Sequence, residues 1–361
     1  MGPVASARTN SSSRVTIRQI ADLAGVSIAT VSRVLNNHRD VSPATREAVL
    51  EVVRRHGFSS NRNARALAAG RTGLVGVTLP LVADAYFSPI LSGAAEALYN
   101  QDMRAILCPT LHQHDREVGL IERLMHGTTD GAIVLLPEES SEELEALQAQ
   151  GYPFVVADPR VPLHEGIPCV SAAHAAGAQQ ATEHLLALGH RRIAAITGPS
   201  GWVATEDRRN GYYSALAAAG VLPDPELEVE SNWKIDGGYA GAAALLELPE
   251  PPTAIFAFND NLAIGAMQAA RERGLHLPED LSIVGFDDTE EARIVTPALT
   301  TVRQPLAELG RMAVSLLVRL IDKQRVEALR VELETRLVVR ESTAAPRAVR
   351  KVPAQRQAVR R

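Results

Sequence analysis

The chain has only two cysteines in 361 residues, Cys108 and Cys169. No metal-type spacing joins them and each sits in an apolar run, so buried reduced thiols are expected, with no disulfide framework, zinc site or catalytic thiol. No apolar run approaches the roughly 18 residues that cross a bilayer. The N-terminal MGPVASARTNSSSR has no apolar stretch of the signal-peptide kind, and a soluble cytoplasmic protein is expected. No G-x-G-x-x-G, P-loop or G-x-S-x-G follows any strand-like run, which sets aside the usual nucleotide-binding enzymes and serine hydrolases. Nor is any cofactor or metal set expected. What is present is 46 % apolar residues in a chain long enough for two or three domains.

Charge is distributed unevenly. Ten arginines and four acids lie between Arg14 and Arg71, a local +6 in a chain of net charge −5. Residues 347–361 add six cations and no acid, and −18 falls on residues 72–345. A cationic head on an acidic body has the electrostatic footprint of a protein that meets nucleic acid through its N-terminal segment, with the basic tail as a second candidate.

That segment has the pattern of two short helices around a tight turn. Thr16 can cap a helix with Gln19 reaching back, Ile17, Ile20, Ala21 and Ala24 share one face, and Gly25 stops it. Ser27 can cap a second helix whose inner face is Val31, Val34 and Leu35. Its outer face holds Ile28, Ala29, Thr30, Ser32 and Arg33. Small and hydroxyl side chains let a helix enter a major groove, where Ile28 and Ala29 reach thymine methyls and the other three hold phosphates or base edges. The plainer alternative is a helical hairpin of a small bundle. Ser42-Pro43 opens a third helix, expected to end at Gly57. Residues 61–69 are expected to form about two turns of helix with too little apolar surface to be stable alone, a linker whose order can depend on DNA.

From Gly73 the pattern becomes strands alternating with amphipathic helices. LVGVTLP, RAILCPT, GAIVLLP and FVVAD make a first set; RIAAITG, a strand near 227–231, AIFAF and LSIVGF make a second. Helices are expected near 89–101, 115–126, 141–150, 175–188, 207–219, 236–247 and 261–273. Two tandem α/β units with parallel sheets follow. Ligands of such sheets lie beyond the carboxyl ends of the strands, which singles out Asp158, Asn259, Asp260, Asp287 and Asp288.

These motifs resemble the lactose-repressor (LacI/GalR) family over residues 15–343. TIRQIADLAGVSIATVSRVLNN is similar to the family's headpiece and NRNARAL to its hinge helix. LLALGHRRIAAITG, FNDNLAIGAM and LSIVGFDD resemble its core, and PALTTVRQP and TRLVVREST its closing segments. The fold class implied is α/β: an N-terminal helix-turn-helix headpiece (15–60) and a hinge (61–72), then a type I periplasmic-binding-protein-like core (73–343) of two Rossmann-like subdomains. The arm 1–14 and tail 344–361 are expected to be disordered. Crossovers are expected near 171, 300 and 330, giving subdomains of 73–171 with 300–330 and 172–299 with 331–343.

The resemblance also implies roles. Thr16, Ser27 and Asn36 join the recognition helix on DNA; Asn61, Arg62 and Ala64 belong to the hinge, and Leu67 wedges into the central base step of the minor groove. Ser60 and Asn63 depart from the family pattern, in which proline and an apolar residue are usual. Arg208, with Gly211 and Tyr212, matches the family's R-x-x-G-[FY], and Asp287 its acid after G-F; together they suit vicinal hydroxyls. Trp233 matches the aromatic set against the effector, and Tyr86, Phe87, Asp158 and Asn259 match the remaining contacts. Ala173 and His174 stand where Asp-Asn is usual, a departure bearing on subdomain closure.

The function implied is a DNA-binding transcription regulator, a repressor, acting as a homodimer on a palindromic operator under control of a small-molecule effector, a sugar. An enzyme, a transport-type sugar-binding protein, an activator, and the same family with a nucleobase or other corepressor are the alternatives. Residue by residue, Asp287 could cap a turn, Trp233 could be surface packing, and Arg208 could pair with Glu206 or Asp207. His174, His184 and His190 read as structural or solvated.

Overall fold

The computed structural model describes residues 15–35, 38, 40–56, 58 and 71–347. Asn36, Asn61, Arg62, Ala64, Leu67 and the expected hinge helix lie outside the described residues, as do Gly57, the arm and the tail beyond 347. The chain divides into two compact units between Thr72 and Gly73.

The first unit is built from locally determined helices. α1 (Ile17–Ala24) starts where Thr16 Oγ1 accepts from the Gln19 amide at 3.3 Å while Gln19 Oε1 accepts from the Thr16 amide at 2.8 Å. This reciprocal cap satisfies two amides that the first turn leaves unpaired. Gly25 ends the helix at φ +66°, a left-handed conformation that a Cβ would strain. α2 (Ile28–Leu35) begins under Ser27, whose Oγ accepts from the Thr30 amide at 3.1 Å. α3 (Pro43–Arg55) has Ser42 as cap and proline in its first turn. Ile20, Val31 and Val49 are fully buried where the three meet, each worth about 1.5–3 kcal/mol.

The second unit holds two six-stranded sheets. β1 (Leu74–Leu79), β2 (Arg104–Pro109), β3 (Gly131–Leu135), β4 (Phe154–Ala157) and β5 (Cys169–Ala172) alternate with α4 (Phe87–Asn100), α5 (His114–Met125) and α6 (Ser141–Ala149). There follow α7 (His174–Ala187), β6 (Ile193–Thr197), α8 (Val203–Ala218), β7 (Glu228–Glu230), α9 (Ile235–Leu246), β8 (Ala254–Ala257), α10 (Asp260–Glu272) and β9 (Ser282–Asp287). α11 (Glu291–Ile294), β10 (Thr300–Arg303), α12 (Leu306–Ile321), β11 (Arg330–Leu333) and β12 (Arg336–Val338) close the fold. The sheet orders are β11-β5-β4-β3-β1-β2 and β12-β10-β9-β8-β6-β7. All pairings are parallel except β10 with β12. Every residue of β3, β4, β6, β8 and β9 is buried, as strands covered by helices on both faces must be.

The crossovers shift by a few residues from the positions read in sequence. The chain leaves the first sheet after Ala172, returns after Arg303 and leaves again after Leu333. β10 therefore belongs to the second subdomain, where Val302 is buried, and all of β11 to the first, paired with β5. A run such as Thr300-Thr301-Val302 shows that a strand forms but not which of two sheets it joins. α12 was not foreseen as a helix, and α8 starts at Val203, ahead of the expected 207. Residues 344–347 are also fastened: the Ala344 amide donates to Ser282 Oγ at 3.0 Å and Arg347 meets Asp280 at 2.6 Å.

α7 and α8 pack closely enough that a Cβ on Gly211 would lie 2.1 Å from the Ala175 carbonyl oxygen. This approach, open only to glycine, sets Arg208 of α8 beside His174 of α7.

Candidate effector cleft and recognition helix

The site is assembled at strand ends, as the open-sheet rule requires. Asp158 follows β4, Asn259 follows β8 and Asp287 ends β9. Asp158 (φ +54°), Asp287 (φ +117°) and Trp233 (φ +65°) all have left-handed backbones, a cost of order 1–3 kcal/mol each that persists only where the surroundings enforce it, and which clusters at ligand sites.

Their side chains join one buried network. Tyr86 Oη donates to Asp158 Oδ2 at 2.7 Å, and His174 Nε2 lies 3.3 Å from Asp158 Oδ1. Arg208 Nη2 donates to His174 Nδ1 at 3.2 Å. Since guanidinium has no acceptor, Nδ1 accepts and the proton of His174 sits on Nε2, toward Asp158. Arg208 Nη1 donates to the Phe258 carbonyl, and Nη2 lies 3.6 Å from Asp287 Oδ1. The guanidinium also covers the ring of Phe286, 3.8 Å from its centroid. Gln304 Nε2 donates to Asp287 Oδ1 at 2.7 Å.

Burial sets the electrostatics. Asp158, His174, Arg208, Asp287 and Gln304 are all buried. Burial pushes Asp287 well above the usual carboxylate range; the charge of Arg208 opposes this and Asp260 adds to it, so a protonated carboxyl that can donate as well as accept is favoured. At Asp158 burial again acts upward, but the hydrogen bond from His174, with that from Tyr86 and the charge of Arg208, outweighs it and holds the group down as carboxylate. The Tyr86 hydroxyl is pushed up by burial and by Asp158, so it stays a donor.

Trp233 forms one wall. A Cβ on Gly198 would stand 2.0 Å from its indole, so that strand end has to be glycine. Asn259 holds the Trp233 backbone, donating from Nδ2 to its carbonyl at 3.0 Å, while its Oδ1 caps α10 through the Leu262 amide at 2.8 Å. Asn259 is thus a support with both polar ends engaged. Phe87 is buried in the apolar core of the first subdomain and meets the site only through its edge contact with Tyr86, centroids 5.3 Å apart. Sequence reasoning missed His174, Gln304 and Phe286. The signal at His174 was the departure from Asp-Asn at a crossover; nothing marked Gln304. The feared helix pairing of Arg208 falls to its neighbour, since Arg209 takes Glu206 at 2.8 Å and Glu228 at 2.7 Å.

Elsewhere His190 is bound by Thr253, Ser282 and the Ala344 carbonyl, and His184 by Thr343, which are structural roles. Among the described residues no cluster of three or more His, Cys, Asp or Glu could hold a metal, and no helix is long and apolar enough to cross a membrane. Cys108 and Cys169 are free and buried, and burial pushes the Cys169 thiol up to about 12.

In the first unit, Thr16 and Ser27 act as caps, and α2 presents Ile28, Ala29 and Arg33 to solvent, with Ile28 42 % exposed. Thr30 and Ser32 are half-buried beside them. Arg33 lies 3.4 Å from Asp40 with both side chains exposed, a contact worth about 0–1 kcal/mol.

Comparison with known proteins agrees with both halves of this description. Residues 16–61 match the family of bacterial regulatory proteins, lacI family, and residues 182–343 the periplasmic binding protein-like domain. Catabolite control protein A of Priestia megaterium is 34 % identical over 330 residues, covering 91 % of this chain and 99 % of that protein. A solved complex of the transcriptional regulator CelR with cellobiose is 34 % identical over 91 % of this chain and 100 % of its own, with a TM-score of 0.70. The lac repressor dimer bound to operator and the anti-inducer ONPF is 30 % identical over 92 % of this chain and 100 % of its own, with a TM-score of 0.82. With a headpiece that matches the family model and relatives at least 30 % identical over nine-tenths of its length, the chain belongs to the lacI family of bacterial transcription regulators.

Proposed function

We propose that this protein is a repressor whose affinity for a palindromic operator is controlled by a sugar bound between the core subdomains, held by Arg208 and Asp287 with Trp233 against its apolar face. One observation carries the reading. Arg208 Nε, Trp233 Nε1 and Gln304 Oε1 are buried without a hydrogen-bond partner, at a cost of about 1–3 kcal/mol each. Two unpartnered donors and one unpartnered acceptor are matched by hydroxyls, which both give and accept hydrogen bonds on a ring with an apolar face. The cellobiose complex of CelR supports the same ligand class.

On this reading the protein works as a homodimer in the cytoplasm, α2 of each protomer lies in a half-site, and residues 61–72 carry the state of the cleft to the headpiece, with Leu67 at the minor groove. The test is a thermal-stability screen of the purified protein against sugars, followed by operator binding with and without each hit. A true effector at a hundred times its dissociation constant raises stability by about 2.7 kcal/mol and changes operator affinity. Stabilisation by nucleobases and by no sugar would replace the ligand class.

A further inference from the structure

The chain's two tryptophans stand together. The rings of Trp202 and Trp233 have centroids 6.1 Å apart and planes inclined at 45°. Each carries a guanidinium: Arg208 Cζ is 5.5 Å from the Trp233 ring centroid and Arg160 Cζ is 5.4 Å from that of Trp202. Each guanidinium also meets a carboxyl group, Arg208 that of Asp287 and Arg160 that of Glu138. One set of three groups, indole, guanidinium and carboxyl, is therefore repeated side by side. In the inner set Arg208 and Asp287 are buried and Trp233 is half-buried. In the outer set Trp202 belongs to the second subdomain and Arg160 and Glu138 to the first, tied across the rim where the Val203 amide donates to the Arg160 carbonyl at 2.9 Å.

Trp202 lies outside the apolar core. Trp233 packs against the apolar core of the second subdomain, but Trp202 is not part of that cluster. It precedes α8 without capping it, and its ring is partly exposed. A half-buried indole outside the core forgoes part of the burial that usually justifies so large a side chain. The repeated chemistry supplies a reason: an indole face for the C–H side of a sugar ring, and guanidinium and carboxyl groups for its hydroxyls.

We propose, resting on the sugar reading above, that the effector is a disaccharide or longer saccharide whose first ring occupies the Trp233, Arg208 and Asp287 set and whose second ring occupies Trp202, Arg160 and Glu138. A flat base held between the two indoles would need parallel faces, and planes at 45° do not provide them.

The experiment is calorimetric titration of the full-length protein with glucose, galactose and ribose and with cellobiose, maltose and lactose. At least one disaccharide binds about tenfold or more tightly than its constituent monosaccharides. Trp202→Ala lowers that affinity by about tenfold or more and leaves any monosaccharide affinity within about twofold. Arg160→Met serves as the second variant, with the same split, should Trp202→Ala fail to fold by circular dichroism. Monosaccharides that bind as tightly as every disaccharide, or a folded variant that keeps its disaccharide affinity, would overturn the outer subsite and leave the sugar reading standing. Folded wild-type protein that binds none of the six overturns the sugar reading and the proposal with it.

Discussion

His174 Nε2 lies 3.3 Å from Asp158 Oδ1, so the residue that opens the second subdomain is hydrogen-bonded to the end of the fourth strand of the first. Through Nδ1 the same ring receives Arg208. Asp158 is thereby connected to Arg208 across the cleft by one imidazole ring.

Replacing that ring tests the connection. His174→Ala leaves Arg208 and Asp158 each short of a partner in a buried setting, and the core loses on the order of 1–3 kcal/mol. Urea unfolding followed by emission of Trp202 and Trp233 reads it. His174→Asn, which keeps a donor and an acceptor, recovers at least half of the loss; no difference between the two variants would mean that the ring serves only as bulk.

Asp287→Ala abolishes the effector response and leaves operator binding in place, because Asp287 and the headpiece belong to separate compact units. Fluorescence anisotropy on an operator duplex, with and without the sugar found by screening, is the measurement. A core that melts as wild type and still responds to the sugar would remove Asp287 from the site.

Glu139 gives a pH dependence with a defined sign. Burial, and next the charge of Glu117, raises its pKa from 4.5 to about 8. The folded protein then holds a proton that the unfolded chain releases above about 4.5, so the stability from that proton is full below this pH and is lost as pH rises through 8. Glu139→Gln keeps a neutral side chain at all pH values. It melts higher than wild type at pH 8.5, by roughly 1–3 kcal/mol in stability, with the advantage shrinking toward pH 5. An equal effect at both ends would exclude the titration.

Gly25→Val forces a β-branched residue to φ +66°, costing about 1–2 kcal/mol or more. The headpiece, with its small core of Ile20, Val31 and Val49, loses operator affinity while core melting stays unchanged. Wild-type affinity in this variant would show that the turn between α1 and α2 is not what positions the recognition helix.

Much of the architecture is written in short-range patterns. The Thr16 and Gln19 cap, the stop at Gly25 and the Ser42-Pro43 start act within four residues, so one stretch of chain contains cause and effect. The buried strands also declare themselves, because five apolar residues bounded by turns have few alternatives. Arg208, Asp287 and Trp233 are legible through motifs, and the chain alone shows only their polar or aromatic character. Long-range closure decided the rest. Which sheet β10 and β11 join depends on partners far away in sequence. His174 meets Asp158 and Arg208 only because α7 and α8 approach at Gly211, and Gln304 meets Asp287 only because β10 lies beside β9. Trp202 and Trp233 are brought side by side by the fold of the second subdomain. A side chain's character is local and can be read, whereas its neighbours are set by packing that sums weak contacts over the whole core, and no spacing rule along the chain encodes them.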